Sequence, residues 1–446
     1  MAFSIDQQTI NDLDIFNKEE QRSIFGLFNR CATIGGAAVL EEMFRKPLSD
    51  EAAINRRASI LRYFAAQAWA FPFKSAYFDE AERYLANRDE RTRLSARQTS
   101  LAGKVAGIIA PAVAEKQMLH AVQEIVSLIR DVSAFISRFQ LQESDPYQGE
   151  IASIRAILKL PAFRRMLAGK DKLPADALAG FDTVLRFRYR DEMRRLLLHL
   201  YEMDAYISAG KVAASQGFVF PRTRSGEALS LQLRGVFHPL VKNAVPNTVE
   251  MTASGNFIFL TGANMAGKST FMKCLGTALY LAHIGFPVPA ASMEFTVMDG
   301  MFTTINLPDN LGAGASHFYA EVLRVKKIVQ EVNSGKRLFI IFDELFRGTN
   351  VKDAYDGTVA VAGGFARRKN SFFVISTHII EAGAALKNTV PDMQFLFLPT
   401  FMNGTHPVYS YKLEAGITND RHGMVIIQNE GILSLLAAGL RKKSVV

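Results

Sequence analysis

Hydrophobic residues in the first half of the chain recur at the spacing of an α-helix. From Met118 to Phe139 they alternate steps of four and three residues, which places them along one stripe of a long helix. A stripe of this kind is typical of a core or helix-pairing surface. A second helical stretch is predicted over roughly Arg186 to Gln216, and residues 142–149 form a turn cluster between the two.

The second half of the chain alternates short apolar runs with helical stretches. Three runs are apolar at every position, namely Phe257–Leu260, Leu338–Phe342 and Phe372–Ile375. This alternation is typical of a doubly wound, mostly parallel sheet that helices cover on both faces. We therefore predict the fold class α + α/β, with a helical domain over residues 1–234 and an α/β domain over residues 235–446.

A loop with two glycines joins the first apolar run to the next helical stretch. The segment Thr261–Thr270 has the strand–loop–helix context of a phosphate-binding loop. Its glycines let the backbone N–H groups face one point, and the helix adds a positive N-terminal dipole. The alternative is an ordinary glycine-rich turn, which both flanks disfavour. The predicted nucleotide-binding residues are Gly262, Ala263, Asn264, Met265, Ala266, Gly267, Lys268, Ser269 and Thr270.

Polar side chains follow the other two apolar runs. Asp343 comes directly after Leu338–Phe342, where an aspartate can help the loop serine, Ser269, to hold Mg²⁺. The adjacent Glu344 is placed to orient the attacking water, and Lys268 to reach the β- and γ-phosphates. His378 ends the third strand, where it is expected to sense the γ-phosphate or hold the water. The alternatives are an aspartate that caps the next element and a structural histidine.

The composition is that of a globular protein, with 49% hydrophobic and 21% charged residues in a chain of 446. The only two cysteines, Cys31 and Cys274, offer no disulfide framework or metal cluster, which predicts a cytoplasmic location. The N-terminus does not have the pattern of a secretion signal. Residues 274–293 lack formal charges, but they include Pro287 and Pro289, so a buried helix and turn is predicted rather than a membrane span.

Positive charge is concentrated in one region. The formal net charge is +9, and residues 151–200 alone contain 11 Lys and Arg against 5 Asp and Glu. A polyanion such as duplex nucleic acid is the natural partner of such a surplus, with Arg186, Arg188 and Arg190 as candidate contacts. A solvated helix face is the alternative, and charge alone does not decide between them.

Several of these segments resemble motifs of the MutS family of DNA mismatch-repair proteins. Thr261–Thr270 resembles the family's phosphate loop, Asp343–Asn350 its Asp-Glu-x-x-Arg-Gly-Thr run, and Ser376–His378 its Thr-His switch. Leu311–Glu321 resembles the start of its signature helix, and Phe237–Pro239 resembles the His-Pro entrance to its ATPase domain. The first half resembles, more weakly, the family's core and lever domain.

The resemblance implies a helical core/lever domain followed by a P-loop NTPase domain that hydrolyses ATP with Mg²⁺. Lys268, Glu344 and His378 are then the expected catalytic residues, and Ser269 and Asp343 the metal ligands. In this family the signature segment completes the ATP site of the other subunit, so Ser316 is expected to contact nucleotide in trans. The implied partners are double-stranded DNA and a second subunit, in a homodimer or a heterodimer with a longer MutS paralogue.

The chain also departs from the family pattern. It begins where the core domain begins, so the mismatch-recognition and connector domains are expected to be missing, and the clamp to be reduced or absent. A minor-groove wedge turns backbone binding into mismatch sensing, so direct mismatch reading is not expected. Residues 244–245 carry no aromatic ring to stack on adenine, which predicts loose base selectivity.

Two functions remain open at this point. The first is a dimeric, Mg²⁺-dependent ATPase of the mismatch-repair or recombination type, whose nucleotide state controls its engagement with DNA. The alternative is an ATP-driven switch that recruits a protein partner and binds DNA only weakly. The family resemblance and the basic region favour the first, whereas the expected absence of the mismatch reader and clamp favours the second.

Overall fold

The structure is a computed structural model that describes residues 2–67, 69–94, 109–168, 173–226, 228–306, 317–403, 406–418, 428 and 431–436. Contacts divide the chain into two compact units. We call Met1–Leu27, Lys46–Ala58 and Ser215–Val446 the sheet unit, and Phe28–Arg45 and Ser59–Ala214 the helical unit.

The helical unit follows the predicted hydrophobic stripe. Val122, Ile125, Ile129 and Val132 on its long helix α6 are all fully buried. Its second long helix, α10, covers most of the predicted 186–216 stretch, and a π-helical segment, Thr183–Arg188, precedes it. The helices that lie in this unit wholly or in part are α2 (Ile24–Phe28), α3 (Ile34–Arg45), α4 (Glu51–Gln67), α5 (Ser75–Ala86), α6 (Ile109–Ile136), α7 (Gln148–Leu158), α8 (Pro161–Ala168), α9 (Ala175–Asp182) and α10 (Arg190–Gln216).

The sheet unit contains a six-stranded sheet with the strand order β12-β9-β4-β8-β7-β6. Its strands are β4 (Phe257–Gly262), β6 (Gly300–Thr304), β7 (Leu338–Phe342), β8 (Phe372–Ser376), β9 (Gln394–Leu398) and β12 (Glu414–Ala415). All pairings are parallel except that of β12 with β9. The three predicted apolar runs are β4, β7 and β8, and every residue of these strands is buried. The parallel register brings their carboxyl ends to one edge of the sheet.

Smaller elements complete this unit. A four-stranded sheet contains β1 (Arg222–Thr223), β2 (Ser230–Val236), β3 (Asn247–Thr252) and β5 (Ser292–Phe295), and β10 (Thr400–Asn403) pairs with β11 (His406–Tyr409). The helices are α1 (Gln7–Asp12), α11 (Lys268–His283), α12 (His317–Asn333), α13 (Val351–Ala366) and α14 (Ile380–Thr389). The uncharged stretch from residue 274 forms the buried part of α11 and then turns at Gly285, as predicted. Among the described residues, no helix combines the length and apolarity that a membrane span requires.

The two units differ in membership from the division proposed at residues 234 and 235. Residues 1–27, 46–58 and 215–234 group with the sheet unit. Hydrogen bonds explain part of this grouping: Leu48 N donates to His283 O at 2.7 Å, and Arg57 Nη1 donates to Ile284 O at 3.0 Å. The boundary between residues 234 and 235 therefore stays a prediction. The sheet unit and the helical unit are each built from more than one segment of the chain.

Candidate functional site

The glycine loop leaves β4 and enters α11 through left-handed backbone positions. Gly262 has φ 153° and Gly267, which caps α11, has φ 99°. A Cβ at Gly267 would lie 3.0 Å from Cδ1 of Tyr411, so both the backbone angle and the space favour glycine there. Ala266 keeps a negative φ, which explains why a residue with a side chain is accommodated. The exposed Met265 has φ 67°, unusual for a non-glycine residue.

Lys268 is the first residue of α11, and its side chain is folded over the loop. Its Nζ donates to Gly262 O at 2.9 Å and to Ala263 O at 3.2 Å, and only 6% of the residue is exposed. Burial lowers the pKa of this ammonium group, whereas the carboxylates of Asp343 and Glu344 oppose that shift. The lysine is thus a buried cation whose hydrogen-bond partners are neutral backbone carbonyls.

Asp343 lies directly after β7 and beside the loop. Its backbone N–H donates to Thr304 O at 2.8 Å, which fixes it to the neighbouring strand β6. Its carboxylate accepts a hydrogen bond from the hydroxyl of Ser376. Burial raises the pKa of this carboxyl, and the nearby hydroxyls of Ser269 and Ser376 oppose that shift. A hydroxyl and a carboxylate side by side are the hard oxygen donors that Mg²⁺ prefers, so Ser269 and Asp343 fit the expected ion.

Glu344 has both carboxylate oxygens engaged by nitrogen-bearing side chains. Its Oε1 lies 2.7 Å from Nε2 of His378, and its Oε2 accepts from Nη1 of Arg347 at 2.7 Å. The hydrogen bond from His378 is the main reason that the pKa of Glu344 falls to about 2, with burial acting in the opposite direction. Glu344 also has a φ of 54°, a backbone strain typical of functional sites. The contact with Arg347 was not expected from the sequence.

A cleft of about 600 Å³ opens beside the loop. It is lined by the loop residues 263–271 and by Glu344, and also by residues that the sequence did not select, which include Val241, Asn247, Cys274, Leu398 and Tyr411. His238, from the predicted His-Pro entrance, lies there too, and burial lowers its pKa to about 4. Tyr411 places an aromatic ring beside Gly267, although residues 244–245 have none. No local sequence pattern marks this tyrosine.

The structure thus brings Lys268, Ser269, Asp343, Glu344 and His378 to one edge of the sheet. Ser316 lies outside the described residues, and so does most of the segment Leu311–Glu321 that resembles the signature helix start. The described part of that region begins with α12 at His317.

The interpretation of Arg186 as a surface contact for a polyanion is wrong. Arg186 is 1% exposed, and its guanidinium donates to both oxygens of Asp182 at 2.5 and 2.7 Å. Arg190 donates through Nε and Nη2 to Leu85 O at 2.9 and 2.7 Å. Arg186 thus stabilises the helical unit from within, whereas Arg190 is only partly buried and stays a candidate contact for a polyanion. The basic residues of this region that remain exposed in the described structure include Lys159, Arg164, Arg165, Arg188, Arg194 and Arg195.

Two family models match this chain. MutS domain III matches residues 8–212, and MutS domain V matches residues 258–438, which include the loop, Asp343, Glu344 and His378. The chain belongs to the MutS family. This MutS-family chain combines a helical part with a parallel sheet, as the resemblance implied.

Curated relatives of this MutS-family chain are named DNA mismatch repair proteins. It is 29% identical to MutS of Persephonella marina over 52% of this chain and 26% of the relative. It is 28% identical to a MutS of Thermus thermophilus over 66% of this chain and 34% of the relative. It is also 28% identical to MSH3 of Candida glabrata over 55% of this chain and 24% of the relative. The aligned regions thus span about a third or less of these relatives' own length.

Proposed function

We propose that this chain binds and hydrolyses ATP with Mg²⁺ and that its nucleotide state controls engagement with DNA. One observation carries the ATPase part. The hydroxyl of Ser269 lies close enough to the Asp343 carboxyl to lower its pKa, and both flank a loop with left-handed glycines that leads into the buried Lys268. A phosphate chain needs backbone N–H groups, a cation and an ion-binding oxygen pair at one point, and the loop with the adjacent Asp343 offers all three.

The loop and Lys268 would bind the phosphates. Lys268 Nζ holds the backbone carbonyls of Gly262 and Ala263, which it can exchange for β- and γ-phosphate oxygens. The first turn of α11 adds its unpaired N–H groups and positive dipole. Ser269 and Asp343 would hold Mg²⁺, which neutralises charge that develops on the β- and γ-phosphate oxygens.

Glu344 would orient the attacking water rather than act as a strong base. A carboxylate with a pKa of about 2 is a weak proton acceptor near pH 7, but it stays ionised and accepts hydrogen bonds. Its Oε1 and Oε2 are held by His378 and Arg347, and each oxygen keeps a further lone pair that can accept a hydrogen bond from water. We assign His378 to hold Glu344 or the water, because phosphoryl transfer depends on positioning and charge.

The DNA part of the proposal rests on MutS membership and on exposed arginines. Arg164, Arg165, Arg188 and Arg194 are exposed and belong to the helical unit. We propose double-stranded DNA as their ligand, and a dimer in which Ser316 acts in trans, with either a second copy or a longer MutS paralogue. The cytoplasmic location also remains a prediction.

The partner-recruiting switch remains the second candidate, and one observation favours it. The burial of Arg186 removes one of the cations expected to bind DNA. ATP turnover that is indifferent to duplex, mismatched and branched DNA at one fixed salt concentration would favour this switch over the DNA-engaging ATPase.

The ATPase assignment is tested with Lys268→Ala and Glu344→Gln. We expect Lys268→Ala to lose ATP binding, because the phosphates lose their buried cation. Glu344→Gln should still bind ATP but hydrolyse it about a hundredfold or more slowly, because the amide orients water poorly. Equilibrium binding of a fluorescent ATP analogue and single-turnover phosphate release separate the two effects.

The matched control is Glu294→Gln. Glu294 is a glutamate of the sheet unit that pairs with Arg224 on the surface and does not belong to the lining of the cleft. This variant should bind and hydrolyse ATP like the unmodified chain. Normal steady-state turnover in Lys268→Ala or Glu344→Gln would overturn the assignment.

A further inference from the structure

Helix α1, near the N-terminus, is hydrogen-bonded to the carboxyl end of β6. Asp12 is almost completely buried, and its Oδ2 accepts from Thr303 Oγ1 at 2.7 Å and from Ile305 N at 2.8 Å. Its Oδ1 accepts from Asn306 N at 3.0 Å. One turn earlier, the hydroxyl of Thr9 accepts from Thr303 N at 3.0 Å. The last residues of β6 are therefore held by α1 through side chains.

Asp6, which caps α1, connects the same helix to α12. Its carboxylate accepts from the guanidinium of Arg324 and, at 3.0 Å, from Nζ of Lys327. Burial raises the pKa of Asp6, but Arg324 and Lys327 outweigh this effect and hold it well below its usual range. Arg324 also donates to Thr303 O at 2.7 Å and to Thr304 Oγ1 at 3.2 Å. One guanidinium therefore joins α1, the end of β6 and α12.

The end of β6 and helix α12, which Arg324 joins to α1, both contact residues of the candidate site. Thr304, which lies between the residues held by α1, accepts the backbone N–H of Asp343 at 2.8 Å. Helix α12 contacts the loop that carries Glu344, because Gly348 N donates to Glu321 Oε2 at 3.4 Å. The rings of Phe318 and Phe346 also meet there, with centroids 6.0 Å apart. A displacement of α1 would therefore reach Asp343 through β6 and the Glu344 loop through α12.

We propose that α1 is a positioning element of the nucleotide site, in which Asp12 and Asp6 fix the backbone of Asp343 and the loop that follows β7. Neither residue lines the cleft, so both act through Thr304 and Arg324. This inference rests on the proposed function for its effect on Mg²⁺ and ATP. The mechanical coupling from α1 to Asp343 is independent of that function.

The N-terminal segment is also attached at the opposite end of the same strands, which provides a matched control. Ser4 bridges to Gly300 at the start of β6, and Lys336 Nζ donates to Ser4 Oγ at 3.0 Å just before β7 begins. If α1 and its flanks served only to anchor the N-terminus, weakening either attachment should have equal consequences. If α1 positions the site, only the attachment at the carboxyl end should matter for Asp343.

The test compares Asp12→Asn with Lys336→Met in the full chain. In Asp12→Asn one of the two oxygens becomes an NH₂ group, which faces N–H or O–H donors and leaves them unpaired. We expect faster amide hydrogen exchange at Asp343 and at residues 303–306 in the nucleotide-free protein. We also expect about a tenfold higher Mg²⁺ concentration for half-maximal ATP turnover, the usual scale for loss of a residue that supports a metal ligand. Lys336→Met should change neither quantity.

Outcomes for the two proposals are distinguishable. Faster exchange at Asp343 in Asp12→Asn, in a chain without any ATP turnover, would support the coupling and sink the proposed function. Normal exchange at Asp343 and an unchanged Mg²⁺ requirement in Asp12→Asn, with an active parent chain, would overturn the inference and leave the function intact. Equal changes in Lys336→Met would also overturn it.

A second variant covers the case in which Asp12→Asn does not fold. Arg324→Lys keeps the positive charge beside Asp6 but loses the planar fork that reaches Thr303 and Thr304 together. It should shift the Mg²⁺ requirement and the exchange at Asp343 in the same direction as Asp12→Asn. An Arg324→Lys chain with the Mg²⁺ requirement and exchange of the parent would contradict the proposal.

Discussion

Each unit of the chain contains a cluster of buried charge, and the two clusters are built differently. In the helical unit, the carboxylate of Asp182 accepts four hydrogen bonds, two from Arg186, one from Tyr84 Oη at 2.7 Å and one from Leu94 N at 2.9 Å. Arg186 also donates to Thr92 through Nη1 and Nη2. In the sheet unit, Lys268 donates to backbone carbonyls, while Asp343 accepts from the hydroxyl of Ser376 and lies near that of Ser269.

The comparison shows that burial of charge does not by itself identify a functional site. Asp182 and Arg186 form hydrogen bonds with each other and with neighbouring residues of the same unit, which is the arrangement of a structural ion pair. Lys268 and Asp343 have neutral hydrogen-bond partners beside a cleft, so a ligand can replace those partners without leaving a charge unpaired. A buried charge whose hydrogen-bond partners are neutral and can be replaced by a ligand therefore indicates a functional site better than burial alone.

The largest effect is expected from Arg186→Met. Removal of the guanidinium leaves Asp182 buried without its counter-ion, so we expect a loss of about 3–5 kcal/mol in the free energy of unfolding of the helical unit. The chain has a single tryptophan, Trp69, which stacks on Phe139 in this unit with centroids 4.8 Å apart. Its fluorescence during urea denaturation therefore reports on the helical unit.

The double variant Asp182→Leu with Arg186→Met is the control for this experiment. It removes both charges, so it should be less destabilised than Arg186→Met alone. ATP binding should persist in every variant that remains folded, because the hydrogen-bond partners of the pair all belong to the helical unit. A single variant as stable as the parent would show that the pair is not a structural ion pair.

The buried His283 is expected to make the stability of the sheet unit depend on pH, with an effect smaller than that of Arg186→Met. It is completely buried, its Nδ1 lies 2.8 Å from Leu279 O, and its Nε2 accepts from Met298 N at 3.0 Å. Both ring nitrogens are thus satisfied in the neutral form, and burial lowers the pKa to about 4. Because the unfolded chain binds the proton near pH 6.5 and the folded chain only near pH 4, stability is complete above pH 6.5 and falls as pH drops between these values.

We expect this histidine to remove about 3 kcal/mol of stability from the sheet unit across that pH window. Hydrogen exchange in α11, corrected for intrinsic rates, measures the free energy of opening at each pH. In His283→Gln the amide can donate to Leu279 O and accept from Met298 N, so the pH dependence should flatten. His120→Gln removes an exposed histidine and should leave the slope unchanged. An equally steep slope in His283→Gln would rule out His283 as its source.

The sequence predicts those parts of the site whose conformation depends on residues that are close together along the chain. Apolar runs placed β4, β7 and β8, and the positions of Asp343 and His378 follow because polar residues come directly after buried strands. The glycine loop was predictable for the same reason: φ values of this kind and the start of a helix are local properties. The structure agrees with these placements, while the catalytic roles remain proposals.

Contacts between distant residues could not be predicted in this way. Thr303 and Asp12 are 291 residues apart, and the composition of neither segment indicates that they meet. The prediction for Arg186 is wrong because a count of charges does not show which side chains face inward. Tyr411 reaches the cleft from a segment far along the chain, and Arg347 was visible in its motif without any sign that it holds Glu344.

The smallest effect concerns the arginines that stay exposed in the helical unit. If Arg188 and Arg194 contact DNA phosphates, Arg188→Gln with Arg194→Gln should reduce the slope of log affinity against log salt by about 2, since each phosphate contact contributes about 0.9. The charge-matched control is Lys352→Gln with Arg367→Gln, two exposed cations of the sheet unit. This control should leave the slope unchanged, because a lower net charge alone does not remove a contact with a DNA phosphate.

The slope is a better measure than affinity because it counts contacts. Arg186→Gln would weaken DNA binding by destabilising the helical unit. Its loss of affinity would grow with urea concentration, but it would not correspond to a fixed number of lost phosphate contacts. Arg188 and Arg194 lie on the surface, so their loss should change the number of released counter-ions and leave Trp69 fluorescence unaltered. Equal slopes in both double variants would mean that these arginines form a solvated face, which would strengthen the partner-recruiting alternative.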